Sequence, residues 1–296
     1  MPVVWLLVAV AVSGHAQVCH AQAAVFAGCG FFDTPGEGAK TVAEHRDSGF
    51  DTVLLETHFD ATGAIRSNRV TLVDGGAWVG PEKDKQNVLA LVATIDRVEF
   101  WFAGWSRRDY DDLRKVKASP EATANLKQNL ALVKRLGVCG YCDDDEDVYD
   151  LPLALWMGRV VQESGLKYSI APYKRPKHWV PIVNEVGVDR IYYQSYFPRR
   201  KLDGWDQLEG QLWAGLNTDD DTVEVVREKF AAFGKNPKVV GGFLWSSGII
   251  RGKRGGDFRG YADAIEAGVA ANVARLAAEA GEGAGQPSAC GAAATE

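Results

Sequence analysis

The chain has no apolar run long enough to cross a membrane as a helix. The run from Val3 to Val12 falls well short of the ~20 residues a bilayer requires. Charge of one sign is not concentrated either: 33 basic and 39 acidic side chains give a net charge of −6 with no basic stripe. Nucleic acid is therefore excluded as the main partner, because phosphate binding needs a positive field. Cysteine is scarce, five in 296 residues. Cys139 and Cys142 stand three apart in a strand-like stretch, so they point to opposite faces and cannot bond to each other. Their spacing also lacks the pairing of a zinc site. The first strand ends in "GCGFFD", which is missing the third glycine of a dinucleotide-binding turn.

What is present begins with an export signal. Residues 1–21 combine the apolar run with small residues after it, and cleavage is expected near Ala16, Ala21 or Ala23. The protein is thus expected to be secreted or periplasmic, even though the basic residues that usually open such a signal are missing. A second reading takes "FAGC", Phe26 to Cys29, as a lipoprotein box, but that stretch lies far beyond the apolar run and reads better as a strand.

From there short apolar runs alternate with helical patterns. Strands are expected at Ala23–Phe32, Phe50–Phe59, Val98–Ser106 and in "GVCGYCDDDED", then in "LKYSIAP", "DRIYYQSYF", "QLWAGLN" and "VVGGFLWSS". Residues 60–80 form a longer excursion with turn chemistry in "ATGAI" and "DGG". The best-marked helix has Ser119 as cap, Pro120 in its first turn, Leu126, Leu130 and Val133 at i, i+4, i+7, and Gly137 as its stop. Eight strands, most followed by a helix, in about 255 residues predict a single-domain (β/α)8 TIM barrel over residues 24–280. A doubly wound open sheet is the alternative. The Gly/Ala-rich tail, 281–296, is expected to be disordered.

In a barrel, catalytic groups lie at the C-terminal ends of strands. The fourth strand ends in five consecutive acids, Asp143 to Asp147. Alternation puts Cys142, Asp144 and Glu146 on one face and Asp143 and Asp145 on the other. Two carboxylates two residues apart at a barrel mouth would hold one proton between them near neutrality, which suits a general acid beside an ionised neighbour. The alternatives are a solvated acidic turn or a calcium loop, although the D-x-D-x-D-G spacing of the latter is absent. Strand six offers Tyr192, Gln194 and Tyr196 on one face. His58 ends strand two beside Glu56 and Asp60, Asn217 and Asp219 end strand seven, and Trp101, Trp105 and Trp213 either line the cavity or face the helices.

The stretch "CGYCDDDE" resembles the D-G-x-D-x-D-x-E signature of glycoside hydrolase family 18, the chitinases and endo-β-N-acetylglucosaminidases. Gly140, Asp144 and Glu146 match, while Cys139 and Cys142 stand in place of the first two aspartates. "FAGWS", "YYQSY" and "GGFLWSS" agree with other family strands in order and spacing, so the likeness covers roughly residues 24 to 275. It implies a substrate-assisted retaining hydrolysis of β-1,4-linked N-acetylglucosamine, with no metal or cofactor. Glu146 would be the acid, Asp144 would orient the substrate's 2-acetamido group, and Tyr196 would donate a hydrogen bond to that group. Trp245 would stack beneath the sugar, with Gln194, Asn217 and Tyr192 as further substrate-binding residues. The implied partner is an N-acetylglucosamine-containing glycan or polysaccharide. The alternative is a catalytically silent barrel that binds glycans as a lectin or acts as an inhibitor.

Overall fold

The computed structural model describes residues 22–28, 30–104, 107–146, 148–195, 205, 208, 211–219 and 221–281. The expected signal, Tyr196, Trp105 and all but the first residue of the expected tail lie outside them. Eight strands run parallel in sequence order: β1 (Gln22–Phe26), β2 (Thr52–Phe59), β6 (Arg97–Gly104), β7 (Gly140–Asp145), β8 (Lys167–Ile170), β9 (Arg190–Gln194), β10 (Leu212–Asn217) and β11 (Val239–Trp245). Because β1 pairs with both β2 and β11, the sheet closes into a barrel. All eight residues of β2 are buried, as expected of strands covered on both faces, which read as unbroken apolar runs.

The helices packed outside are α1 (Glu37–His45), α2 (Glu82–Val92), α3 (Arg107–Ala118), α4 (Pro120–Arg135), α5 (Leu151–Glu163), α6 (Pro176–Ile182), α7 (Val223–Phe233), α8 (Ser247–Lys253) and α9 (Phe258–Gly281). A π-helical turn over Val183–Gly187 extends α6. The predicted punctuation of α4 is present: Ser119 Oγ accepts from the Ala122 N–H at 3.1 Å. Gly137 has φ 90°, and a Cβ there would sit 2.4 Å from Val92 Cγ1, so the stop requires glycine on both grounds.

Three expectations need correction. The first strand ends at Phe26 rather than Phe32, since Gly28 takes φ 78° and a turn starts at Gly30. The excursion after β2 carries three short antiparallel strands, β3 (Ile65–Arg66), β4 (Thr71–Asp74) and β5 (Ala77–Trp78), that fold back beside the barrel mouth. And α3 was not anticipated: its twelve residues bury only Tyr110, Leu113 and Val116, a thin stripe within a highly charged segment. Ala23, one of the three expected cleavage points, is the second residue of β1, is fully buried, and donates its N–H to Asp51 Oδ2 at 3.1 Å. A cut after it would remove Gln22 and Ala23, two of the five residues of β1, and with them this hydrogen bond.

The barrel interior is filled rather than hollow. Phe26, Trp101, Cys142, Tyr192, Trp213 and Phe243 pack together within it. Gly241 makes room for Trp213, whose indole nitrogen lies 2.0 Å from where a Cβ would stand. Below this layer, toward the N-terminal ends of the strands, fully buried Glu99 accepts from the Tyr192 hydroxyl at 2.8 Å and pairs with Arg97, which also meets Asp189 at 2.8 Å. Tyr192, expected to bind substrate, is therefore a barrel-filling residue whose polar tip is committed to the closed end. Alternation places it on the inward face, as expected, but one layer too deep to reach a ligand.

Candidate active site

The site lies at the C-terminal end of β7, where the strand's alternation sorts the acids. Asp144 turns inward and is 3 % exposed. Trp101 on β6 donates its indole N–H to Asp144 Oδ2 at 3.1 Å, and Gln194 at the end of β9 donates to Oδ1 at 2.6 Å. Gln194 also donates to the Ala171 carbonyl at 2.8 Å, which fixes the direction of its amide. Both carboxylate oxygens thus act as acceptors. Gln194 was expected to touch substrate. Buried and doubly bonded, it positions Asp144. Trp101, whose direction the sequence left open, is the second positioning group.

Cys142 lies beneath Asp144 and is fully buried. Burial, followed by the nearby charges of Glu99, Asp144 and Asp143, pushes its thiol well above the ordinary value. It is a neutral S–H, with weak donor capacity and no means of sharing a proton as an aspartate would. Cys139 is likewise buried.

Asp143 and Asp145 point outward, into the layer between strand and helices. Asp145 accepts from the N–H groups of Val148 and Tyr149 at 2.8 and 2.7 Å and so folds the chain directly after the strand. Tyr149, with φ 52°, donates its hydroxyl to the Glu146 carbonyl at 2.9 Å. The loop thereby holds Glu146, half-buried, at the rim two residues beyond Asp144. The Arg175 guanidinium stacks 4.5 Å from the Tyr149 ring centre and backs the same loop.

Asp143 is 4 % exposed and accepts one hydrogen bond, from Tyr168 at 2.9 Å, while its Oδ1 has no partner. Burial, then the charge of Asp145, raise its carboxyl from the ordinary 3.8 to about 7, with Tyr168 opposing. Below the unfolded value both states hold this proton. Between the two values only the folded state does, so stability drains away as pH rises through that window. Above it the deficit is roughly 4 kcal/mol at most, at about 1.4 kcal/mol per unit. Asp143→Asn, which retains an acceptor for Tyr168, should therefore stabilise the protein more at pH 8 than at pH 5. Thermal melts of both proteins at the two pH values check this; an equal gain at both would refute the assignment.

On the opposite side of the mouth, Trp245 ends β11 and packs edge-on to Trp101 with centroids 5.3 Å apart and 5.7 Å from Phe26. It is half-buried. Asn217 is its register partner at the end of β10. The Asn217 carbonyl oxygen accepts from the Asp219 N–H at 2.9 Å, which leaves its amide N–H groups for a ligand. Glu56, opposite Trp101 in register and 5 % exposed, is a further mouth carboxylate. Its Oε1 accepts from Asn68 and His58, both at 3.2 Å, and its Oε2 has no partner. Asp144, Gln194, Trp245 and Asn217 thus come together at one barrel end with Glu146 on its rim.

No protein-family model matches the sequence, and no curated protein does. Solved structures do match in fold. The catalytic domain of a family GH18 chitinase from the fern Peteris ryukyuensis superposes with a TM-score of 0.56 at 15% identity, over 81% of this chain and 97% of that one. Catalytic domain 2 of the Ostrinia furnacalis Group II chitinase, a mutant crystallised with penta-N-acetylchitooctaose, gives 0.61 at 11% identity over 84% and 96%. The chitinase-like agglutinin RobpsCRA from Robinia pseudoacacia gives 0.58 at 12% identity over 83% and 99%. The chain has the (β/α)8 fold of the GH18 chitinases and of a chitinase-like agglutinin, in line with the resemblance carried by its fourth strand.

Proposed function

We propose that the protein is an exported glycosidase that hydrolyses β-1,4 linkages of N-acetylglucosamine by a substrate-assisted, retaining route. The observation that carries this reading is Asp144, gripped on both oxygens by Trp101 and Gln194 at the barrel mouth, two residues before Glu146. Glu146 protonates the glycosidic oxygen as the bond to the anomeric carbon breaks. The oxygen of the substrate's own 2-acetamido group attacks that carbon, and Asp144 takes the hydrogen bond of the acetamido N–H and stabilises the charge that develops there. Water then opens the cyclic intermediate, with Glu146 receiving its proton, so configuration is retained. Trp245 provides the apolar floor beneath the sugar ring and Asn217 a polar contact beside it. Tyr196, two residues beyond Gln194, completes the proposal as a donor to the acetamido group.

A second reading is a lectin, favoured by the shared fold with an agglutinin and by the thiol at position 142 where the family signature has an acid. Incubation with a fluorogenic chito-oligosaccharide and with a high-mannose glycoprotein separates the two. Release of product from either substrate is the expected result, with cleavage of the glycoprotein pointing to endo-β-N-acetylglucosaminidase action. Saturable binding with no release on either would establish the lectin and overturn the hydrolase.

A further inference from the structure

Beside the mouth, on the β2 side, opens a cleft of about 350 Å³ with Phe59 as its apolar wall, a volume that suits a ligand the size of one sugar unit. His58, at the end of β2, reaches into it from below. Arg66 and Asn68 come from the β3–β4 excursion, and Arg108, Asp109 and Asp112 from the first turns of α3. The excursion is fastened over the mouth by Asp33, which accepts from Ser67 Oγ and from the backbone and side-chain nitrogens of Asn68 at 3.2 and 3.1 Å.

The charges of this cleft do not cancel internally. Its acids are matched: Asp112 pairs with Lys115 at 2.8 Å, and Asp109 faces His58 Nδ1 at 3.6 Å. The other ring nitrogen of His58 meets Glu56 at 3.2 Å. Although burial works against the imidazolium, these two carboxylates outweigh it and raise His58 to about 9, so its single charge is present at neutral pH and is shared between two carboxylates, which leaves one negative charge against the two arginines. The two arginines are left over. Arg66 donates to two backbone carbonyls, Ser67 and Asn68, both at 3.1 Å, and faces no carboxylate among the described residues. Arg108 is exposed and has no hydrogen-bond or ion-pair partner among them. Each guanidinium offers a planar fork of N–H donors shaped for a carboxylate or similar oxyanion.

The position of the cleft ties it to the proposed chemistry. Glu56 and Trp101 are register partners on adjacent strands, and Trp101 holds Asp144. His58 stands two residues above Glu56, so the cleft begins two strands away from β7, with β6 between them, and runs outward from the mouth.

We propose that the cleft is a subsite for an acidic sugar: Arg66 and Arg108 bind the carboxylate of a saccharide unit linked to the N-acetylglucosamine held at Asp144. This rests on the hydrolase reading for its location, and it narrows the substrate class to carboxylate-bearing N-acetylglucosamine glycans.

The experiment compares kcat/KM for a neutral N-acetylglucosamine oligomer with that for an oligosaccharide of equal length whose alternate units carry a carboxylate. It is run on the wild type and on an Arg66→Ala/Arg108→Ala double variant whose melting temperature confirms folding. The expected result is a wild-type preference for the acidic substrate that falls by about 10–100-fold in the variant, the scale of one charge-assisted hydrogen bond, since exposed Arg108 adds little. An unchanged ratio overturns the proposal. Should the wild type cut neither substrate, the hydrolase reading fails separately, and direct binding of the same two oligosaccharides decides. A preference for the acidic one that the double variant loses sustains the cleft, and equal affinity overturns it. Displacement of the acidic oligosaccharide by sodium acetate or inorganic phosphate at the same concentration would mark a free-anion site and would also overturn the proposal.

Discussion

Glu146→Gln is expected to lower kcat for a fluorogenic chito-oligosaccharide by about 10²–10⁴-fold, the usual range for a lost general acid. Glutamine keeps the shape and hydrogen-bonding reach of the side chain but has no proton to deliver to the departing oxygen. The fold should be indifferent, because Glu146 is half-buried and its backbone carbonyl, the group that Tyr149 binds, is unaltered. A melting temperature close to that of the wild type would therefore accompany the loss, and binding of an uncleaved oligomer should persist. Retention of full activity would place the acid elsewhere. Glu56 is then the next carboxylate to test, since it lines the same mouth and has one oxygen without a partner. In that event Asp144 would remain a positioning group for a different reaction geometry.

The barrel was legible in the sequence because strands buried on both faces must be apolar throughout, and their order needs no side-chain detail. The site was legible to the extent that period-two alternation sorts faces. It put Asp144 inward and Asp143 outward, and the structure agrees. Alternation does not give depth. Tyr192 and Gln194 share a face, yet one hydroxyl reaches Glu99 at the closed end and the other amide reaches Asp144 at the mouth. That difference is set by where β9 stands across the barrel interior from β6 and β7, which is non-local. Trp101 was ambiguous for a related reason: it stands between Phe100 and Phe102, so the run is aromatic on both faces and pattern alone cannot say which ring turns inward. The cleft beside β2 was illegible because its residues come from an excursion and a helix that the hydrophobic pattern barely marks. Arg66 and Arg108 are 42 positions apart and come to line one cleft only once the short strands fold back over the mouth.

Asp144→Asn should be damaging in two separable ways. The first is catalytic. A neutral amide cannot stabilise positive charge on the acetamido group, and its –NH₂ presents a donor where the substrate N–H needs an acceptor. Losing one preorganised electrostatic contact of this kind lowers kcat by about 10²–10³-fold. The second is structural. Both oxygens of Asp144 now accept, from Trp101 and from Gln194, and asparagine can offer an oxygen to only one of them. If its –NH₂ faces the indole, the Trp101 N–H is buried without that acceptor. If it faces Gln194, the glutamine amide must flip and surrender its bond to the Ala171 carbonyl. Either arrangement leaves a buried donor or acceptor unmatched, a loss of about 1–3 kcal/mol, so the variant should melt several degrees lower. A second change resolves which grip matters more: Trp101→Phe in the Asp144→Asn background removes the unmatched indole and should recover part of the stability while recovering none of the activity. Recovery of activity would mean that the indole, and not the carboxylate charge, limits the reaction. An Asp144→Asn protein that melts at the wild-type temperature would show that Trp101 and Gln194 do not hold this side chain as described, and the proposed role of Asp144 would lose its structural support.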